Sequence, residues 1–189
     1  MKHKFIIQIP KCILFYFFAI NLYAQNTQEV KSYSLINKSI ELSRKEFWDN
    51  LPKPTNWTND YENLYSDAEQ KTLDSIITEF ERETTFEIGI VTIDTIKVAK
   101  ENFNNLSMHI AKTWGIGKKN KDNGILILIS KSHKKIRIEN GTGTEKLIIE
   151  KETSEIIQNY FLAEFSKNKF YNGTLNGLKA IIKLLKSKL

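Results

Sequence analysis

Cysteine is almost absent from this chain of 189 residues: the only one is Cys12. Cys12 lies in an N-terminal segment that we expect to be removed, so the mature chain has no thiol. It therefore carries no disulfide, no zinc–thiolate site and no cysteine nucleophile. The small residues of a lipoprotein signal are also missing around Cys12, which argues against lipidation.

The chain also has few histidines and, without its N-terminal segment, only a small net charge. The mature chain keeps His109, in a predicted helix, and His133, in a predicted turn. Neither lies near a serine in a nucleophile-elbow setting, so nucleophilic catalysis has little support. Removal of Lys2, Lys4 and Lys11 with the N-terminal segment lowers the formal charge from +6 to +3. This mild positive excess is spread along the chain and does not favour nucleic-acid binding.

The sequence also lacks an apolar run long enough to span a membrane. A basic start at residues 2–4 precedes apolar residues 12–22, which are about half of the roughly 20 residues that a span requires. The segment ends in the small residue Ala24. This pattern predicts a secretory signal, residues 1–24, with cleavage after Ala24 and export to the periplasm or the medium. A retained membrane anchor is the alternative; the mature chain has no predicted span.

Residues 25–56 form a predicted N-terminal helix and linker. Apolar residues at helical spacing favour a helix over 34–51, and Pro52 and Pro54 end it. We place this helix outside the main domain, and the sequence leaves open whether it packs on that domain. The main domain is predicted over residues 57–189.

The first half of the main domain reads as a βαβ unit. Ser66-x-x-Glu69 is a capping box, and the apolar periodicity behind it predicts a helix over 67–84. Strands over 86–93 and 124–130 flank a helix over 101–114. Such strands are expected to be parallel, with a right-handed crossover.

The second half adds an antiparallel strand and two helices. Strict alternation over 135–139, after a turn at 130–134, predicts an antiparallel strand. Helices are predicted over 150–165 and 174–185, with a turn at 170–173 between them. The predicted fold is α/β, a three-layer α/β/α sandwich with a small mixed β-sheet, Rossmann-like in type.

Several aromatic side chains are assigned by their positions. Trp114 and Tyr160 fall on apolar helix faces, so both are predicted to lie in the core. Trp57 and Tyr61 precede the first helix of the domain. For these two, packing against the loops and display on a partner surface both remain open.

Acidic residues in two loops form the candidate site. Because the strands at 124–130 and 135–139 are antiparallel, the loop ending at Asp122 and Asn123 should lie beside residues 140–145. This pairs Asp122 with Glu145 and the nearby Glu150. Carboxylates close to backbone carbonyls suit a hard cation such as Ca²⁺. The competing interpretation is that these acids are ordinary turn residues.

Two further acids could join this site, and one motif is excluded from it. Asp60 and Asp94 are candidate ligands, although Asp94 follows the first strand of the βαβ unit and should lie at the opposite end of the sheet unless its loop folds back. Gly115-Ile-Gly-Lys-Lys119 resembles a phosphate-binding loop. It lacks the Walker spacing and follows a helix rather than a strand, so it does not predict a nucleotide site.

Six short motifs in order also resemble the TPM-domain family. They are Asn59-Asp60-Tyr61 before Ser66-x-x-Glu69, Trp114-Gly-Ile-Gly117, Asp122-Asn-Gly124, Arg137-Ile138, Gly141-x-Gly143-x-Glu145 and Phe170-Tyr-Asn-Gly173. The resemblance covers about residues 57–180. That family includes photosystem II repair proteins of the thylakoid lumen and many exported bacterial proteins, and it implies an α/β/α sandwich.

The resemblance also implies a function. Some family members bind calcium or other divalent ions, some are regarded as phosphatases, and others are accessory proteins of membrane complexes. We therefore expect an exported, monomeric module that binds a divalent cation, calcium before magnesium. The expected metal ligands are Asp122, Asn123, Glu145, Glu150, Asp60 and Asp94. A membrane-associated protein complex is an expected partner, and a weak metal-dependent phosphatase is the alternative function.

Overall fold

The computed structural model describes the backbone of residues 11–189 and the side chains of residues 28–189. The predicted signal, with its cleavage after Ala24, therefore falls outside the residues whose side chains are described. The chain divides into two compact units, residues 1–43 and 44–189. Among the described residues, no helix is long and apolar enough to cross a membrane.

The N-terminal helix α1 runs from Lys11 to Asp49 and ends three residues before Pro52. Its final residues, from Arg44 onward, belong to the larger unit. Phe47 is buried there, and its ring packs edge-on against Tyr61 with 5.6 Å between the ring centroids. The placement of this helix outside the main domain is therefore wrong for its last turn. The sequence pattern showed that Phe47 is apolar but not what would cover it.

A four-stranded mixed sheet forms the middle layer, in the order β1-β2-β3-β4. Its strands are β1 (Thr58–Asp60), β2 (Glu87–Thr92), β3 (Gly124–Ser130) and β4 (Lys135–Asn140). The first three strands are parallel, and β4 runs antiparallel to β3. The predicted βαβ unit is thus confirmed. Strand β1 was not predicted, because its three polar residues carry no alternating apolar pattern.

The helices of the larger unit follow in chain order. They are α2 (Asp67–Thr84), α3 (Phe103–Trp114) behind a 3₁₀ turn at Lys100–Asn102, α4 (Thr142–Glu145), α5 (Glu150–Ile156), a π-helical segment (Ile157–Leu162), α6 (Ala163–Phe165) and α7 (Phe170–Lys186). Helix α2 begins with the predicted capping box, in which Ser66 and Glu69 satisfy each other's backbone N–H groups. Helix α7 begins four residues earlier than predicted, so Phe170–Gly173 is its first turn.

Two apolar cores flank the sheet, one on each face. Ile125, Ile127 and Ile129 of β3 pack in the core that also contains α2, α5 and α7. Leu126 and Leu128 point to the other face and pack with α3 and Phe47. Strand β3 is completely buried, as its continuous aliphatic sequence indicates. The predicted three-layer α/β/α arrangement is confirmed.

The π-helical segment is fixed by a close contact with α7. Phe161 is fully buried, and a Cβ atom at Gly177 would come within 2.0 Å of its ring. The i→i+5 pattern adds a residue to the turn and shifts which side chains face the core. Tyr160, predicted to be in the core, is 45% exposed for this reason. Phe161 takes the inward position.

Trp57, Tyr61 and Trp114 all pack on the domain. The indole N–H of Trp57 donates to the hydroxyl of Thr78 at 3.1 Å, and that of Trp114 donates to the carbonyl of Pro52 at 2.9 Å. Trp114 and Tyr61 are partly buried against the second core. The structure therefore assigns a packing role to Trp57 and Tyr61, the two residues for which the sequence left two roles open.

Candidate functional site

Two loops meet at the end of the sheet where β3 begins and β4 ends. We call residues 117–123 and 141–149 the loop pair. The hydroxyl of Thr142 donates to Oδ2 of Asp122 at 2.9 Å, and the N–H of Gly143 donates to the carbonyl of Asp122 at 3.0 Å. The predicted juxtaposition of the two loops is thus observed. Thr142 was not among the predicted site residues, although it stands between two glycines of a motif that was recognised.

Close backbone contact brings carbonyl oxygens into the loop pair. A Cβ atom at Gly143 would come within 1.9 Å of the Lys121 carbonyl oxygen, so only glycine fits at this position. Asp122 has a φ of 47°, which is unusual for a residue with a side chain. Its N–H donates to the carbonyl of Lys118 at 3.2 Å, which holds the turn. The side chain of Asp122 is exposed in this conformation.

Asn123 is a structural clamp of this loop. Its side chain is 3% exposed, its Oδ1 accepts the N–H of Lys118 at 2.9 Å, and its Nδ2 donates to the carbonyl of Thr85 at 2.8 Å. Oδ1 therefore closes the loop on itself, and Nδ2 connects the loop to the end of α2. The geometry gives Asn123 a positioning role and no free oxygen directed at an ion.

Glu145 and Glu150 lie in the second loop and directly behind it. Glu145 is the last residue of α4, and Glu150 is the first residue of α5. Both are exposed, and no ion pair joins either carboxylate to another side chain in the described part of the chain. Helix α5 begins beside the end of β4: the side-chain amide of Asn140, the last residue of β4, donates to the hydroxyl of Thr153 at 3.3 Å.

Asp60 and Asp94 do not join the loop pair. Asp60 is the last residue of β1, and Asp94 follows β2. Since these strands are parallel to β3, their carboxyl ends lie at the opposite end of the sheet. Oδ1 of Asp60 accepts the N–H of Leu64 at 3.0 Å and the hydroxyl of Thr92, and Oδ2 accepts the N–H of Tyr65 at 2.8 Å. Asp60 is therefore saturated with protein donors, and the geometry assigns it to loop structure.

Asp94 is occupied in the same way. Its Oδ1 accepts the N–H groups of Ile96 and Lys97, each at 3.0 Å, and its Oδ2 pairs with the ammonium of Lys97 at 3.0 Å. The six predicted ligands are thus divided between two ends of the sheet. In the described residues, no group of three or more histidine, cysteine, aspartate or glutamate side chains is arranged to hold a metal ion.

An ion-pair network ties the first loop of the loop pair, residues 117–123, to α2 and β2. The ammonium of Lys118 lies 2.7 Å from Glu81 of α2 and 2.7 Å from Glu87 of β2. The hydrogen bonds to Glu81 and then Glu87 raise the pKa of Lys118 above its ordinary value. Glu87 also accepts the N–H of Gly117 at 2.7 Å. No local sequence pattern indicates this network, because its members come from three separate segments.

A cleft of about 470 Å³ opens beside Asp122, between α3 and the loop pair. Met108, Ile116 and Leu126 form apolar parts of its wall, while Lys112, Lys119, Asp122 and Glu139 contribute charges. This volume is in the range of small-molecule pockets. The loop pair therefore combines carboxylate, hydroxyl and carbonyl oxygens at the edge of an open cleft.

Comparison with known proteins gives the chain its family. A family model described as the TPM domain matches residues 58–184, about two thirds of the chain. The chain belongs to the TPM domain family. The match covers the whole sheet and the helices on both of its faces, as the order of motifs predicted. A search of curated proteins gave no significant match.

Solved structures share the fold of this TPM domain. The N-terminal domain of a protein from P. gingivalis is 23% identical, with a TM-score of 0.64; the match covers 71% of this chain and 85% of that one. The BA42 protein of Bizionia argentinensis is 18% identical, with a TM-score of 0.59 and coverage of 68% and 86%.

A third solved structure is more distant. The N-terminal domain of the cg2496 protein of Corynebacterium glutamicum is 12% identical, with a TM-score of 0.53 and coverage of 74% and 85%. All three identities are below 25%, so these structures establish the fold of the TPM domain and nothing about its ligands.

Proposed function

We propose that this TPM domain binds a divalent cation, calcium in preference to magnesium, through the loop pair. In this proposal it works as an exported accessory or regulatory module, with a membrane-associated protein complex as its partner. One observation carries the proposal: the hydroxyl of Thr142, in the second loop, donates to the carboxylate of Asp122 in the first loop. The exposed Glu145 lies in the same loop as Thr142. Export rests on the sequence of residues 1–24 alone.

The oxygen donors of the loop pair fit a hard cation. Oδ2 of Asp122 accepts the Thr142 hydroxyl, and none of the described side chains donates to its Oδ1. The Lys121 carbonyl oxygen lies against Gly143, and Oδ1 of Asn140 is buried without a hydrogen-bond partner in the described chain. Carboxylate, carbonyl and amide oxygens are the ligands that Ca²⁺ takes. The donor set therefore suits calcium, with Glu145 and Glu150 as the additional carboxylates.

The surrounding charges set the expected affinity. The ammonium of Lys118 is neutralised by Glu81 and Glu87, so it does not oppose a bound cation. Lys119 is exposed and lines the same cleft, and its charge weakens cation binding. A site with few carboxylates, and with Lys112 and Lys119 in the adjoining cleft, should resemble weak extracellular calcium sites, with a Kd on the order of 10⁻⁴ to 10⁻³ M.

Calcium should raise the thermal midpoint of the purified protein. With a Kd of about 1 mM, 10 mM calcium should stabilise the folded state by about 1.4 kcal/mol, because it binds only that state. For a domain of this size the rise is roughly 3 to 6 °C. Magnesium should give a smaller rise, because it requires near-octahedral geometry and gives up its bound water reluctantly. Differential scanning calorimetry with and without each ion measures the effect.

Variants of the loop pair test which residues bind. Asp122→Asn and Glu145→Gln should each remove most of the calcium-dependent rise. The matched control is Glu155→Gln, an exposed acid further along the same region. Glu152 is a poorer control, because its carboxylate pairs with Lys188 and caps α5. An equal rise in wild type and in the Asp122→Asn variant would remove the loop pair from the proposal.

Metal-assisted hydrolysis of phosphomonoesters is the second candidate function. The cleft beside Asp122 carries Lys112 and Lys119, two side chains that attract a phosphate group. A hydrolytic reaction would depend on the same carboxylates, since a bound metal would supply the activated water. We expect little or no turnover of phenyl phosphate by stringently purified protein in calcium or magnesium. Robust turnover that is lost in a correctly folded Asp122→Asn variant would favour this second function instead.

A further inference from the structure

A second cavity, of about 450 Å³, lies at the opposite end of the sheet from the loop pair. It is beside the turn between β3 and β4 and behind the π-helical segment. Its lining includes Lys131, Lys134, Leu162, Phe165, Asn168 and Phe170. We call it the distal cavity. None of its residues belongs to the proposed cation site.

The floor of the distal cavity is apolar and aromatic. Leu162 closes the π-helical segment, and π-helical turns are rare and occur frequently at functional sites. The rings of Phe165 and Phe170 lie against each other with centroids 4.9 Å apart and planes inclined by 37°. These two rings bring the end of α6 and the start of α7 together. They leave a concave apolar surface facing the turn between the strands.

The rim of the cavity is basic. The ammonium of Lys131 lies over the ring of Phe170, 5.4 Å from its centroid. Lys134 is exposed and has a φ of 52°, so the turn holds it in an unusual conformation. Lys169 lines an adjoining cavity of about 330 Å³ that shares Lys131 and Phe170 with the first. Lys131 and Lys134 therefore border the aromatic floor, and Lys169 borders the adjoining cavity.

Several lysines elsewhere in the larger unit are held in ion pairs. Lys97, Lys118 and Lys188 each lie within 3.0 Å of a carboxylate. Among the residues that the structure describes, no carboxylate pairs with the ammonium of Lys131, Lys134 or Lys169.

Two acids near the rim are already engaged: Glu69, in the adjoining cavity, caps α2, and Glu62 binds the backbone of the turn. The two carboxylate oxygens of Glu62 accept the N–H groups of Lys131 and Ser132, each at 2.8 Å. The positive charge of the rim is thus available to a ligand.

We infer that the distal cavity binds a small amphiphilic anion, with a carboxylate or phosphate head and a short apolar tail. The head would lie between Lys131 and Lys134, and the tail would cover Phe165 and Phe170. A cavity of this volume accommodates a small molecule rather than a helix of a partner protein. Burial of the tail excludes water from the rim and strengthens the attraction between lysine and anion.

Titration of the full mature chain with decanoate, followed by amide chemical shifts, tests this inference. We expect saturable shifts confined to residues 130–135 and 162–170. The Lys131→Gln/Lys134→Gln double variant should bind about tenfold more weakly, a difference of about 1.4 kcal/mol. It should keep its fold, because the backbone N–H of residue 131 still donates to Glu62. Lys183→Gln is the matched control, an exposed lysine in the last turn of α7 whose variant should bind decanoate normally.

A second variant removes the space rather than the charge. Ser166 lines the cavity and is exposed, and its hydroxyl donates only to the nearby carbonyl of Ala163 in the described chain. Ser166→Trp should therefore fill the cavity and abolish decanoate binding while the thermal midpoint stays close to that of wild type. Unchanged decanoate affinity in a folded Ser166→Trp protein would contradict this location.

Three further ligands separate the contributions of head and tail. Decyl phosphate should bind at the same residues, and the tighter of the two anions identifies the preferred head. Octyl glucoside has a tail without a charge, and equal binding of it would overturn the role of the lysines. Inorganic phosphate has a charge without a tail, and equal binding of it would overturn the role of the aromatic floor. Absence of binding by both decanoate and decyl phosphate would overturn the inference as a whole.

Discussion

Replacement of Asp60 by alanine is expected to lower the free energy of unfolding by about 3 kcal/mol, because three donors lose their acceptor. These donors are the N–H groups of Leu64 and Tyr65 and the hydroxyl of Thr92. Thr92 is fully buried on β2, so water cannot replace the carboxylate there. The change should also release Tyr65, whose buried hydroxyl bonds to Thr174 of α7 at 2.8 Å.

Thermal and urea unfolding of the Asp60→Ala variant measure this loss. The midpoint should fall by roughly 6 to 12 °C for a domain of this size. Asp67→Ala is the matched control, since Asp67 is an exposed acid in the first turn of α2 and its loss should cost little. The calcium-dependent rise should survive in Asp60→Ala. Loss of that rise in a folded variant would instead identify Asp60 as a ligand.

Gly177→Ala should destabilise the protein by about 2 kcal/mol, although alanine is the better helix former. A Cβ atom at this position would lie 2.0 Å from Cε2 and 2.2 Å from Cζ of Phe161. Phe161 is fully buried in the π-helical segment and has no room to withdraw. Overpacking of this kind typically costs about 1 to 3 kcal/mol, and we expect the upper end because the overlap is severe. The higher helix propensity of alanine returns about 1 kcal/mol of that cost, which leaves a net loss.

The same helix supplies a control for Gly177→Ala. Asn176→Ala changes an exposed neighbour and should leave the stability equal or slightly higher. A double-mutant cycle with Phe161→Leu tests the cause, because the smaller side chain relieves the clash. Gly177→Ala should therefore cost less in the Phe161→Leu background than in wild type. A stabilising effect of Gly177→Ala alone would contradict the close packing of Phe161 against α7.

The parts of the fold with strong local patterns were predictable from the sequence. Helix α2 has a capping box and a regular apolar stripe, and both of its ends were predicted correctly. Strand β3 is a continuous aliphatic run between turn residues, which indicates a strand covered on both faces. The antiparallel pairing of β3 with β4 then placed the loop pair correctly, because it follows from the direction of the strands alone.

Other features depend on contacts that no local pattern contains. Tyr160 lies on the apolar face of the regular α-helix that the sequence predicts, but residues 157–162 are π-helical and Tyr160 is 45% exposed. Strand β1 is too short and polar to show a strand pattern; it pairs with β2 because α2 holds it there, through the hydrogen bond from the Thr58 N–H to Asp74 at 2.7 Å. Such elements are determined by tertiary structure.

The chemistry of the acids was less predictable than their positions. Asp60, Asp94 and Asp122 are all loop carboxylates in the sequence, yet the first two are saturated by backbone N–H groups and only Asp122 faces an open cleft. The spacing of Asp60 to Leu64 and Tyr65 is short enough to have suggested a local turn clamp. Nothing in the sequence could distinguish the exposed carboxylates at Asp122 and Glu145 from such clamps.

Calcium titration of the metal-stripped mature protein, followed by backbone amide chemical shifts, tests the central claim most directly. Saturable shifts should concentrate in residues 117–123 and 141–150, with a Kd on the order of 10⁻⁴ to 10⁻³ M. Asp60, Asp94 and their neighbours should be unaffected, because their carboxylates are already satisfied. Absence of shifts in the loop pair at 10 mM calcium, or shifts centred on Asp60 and Asp94, would contradict the proposed cation site.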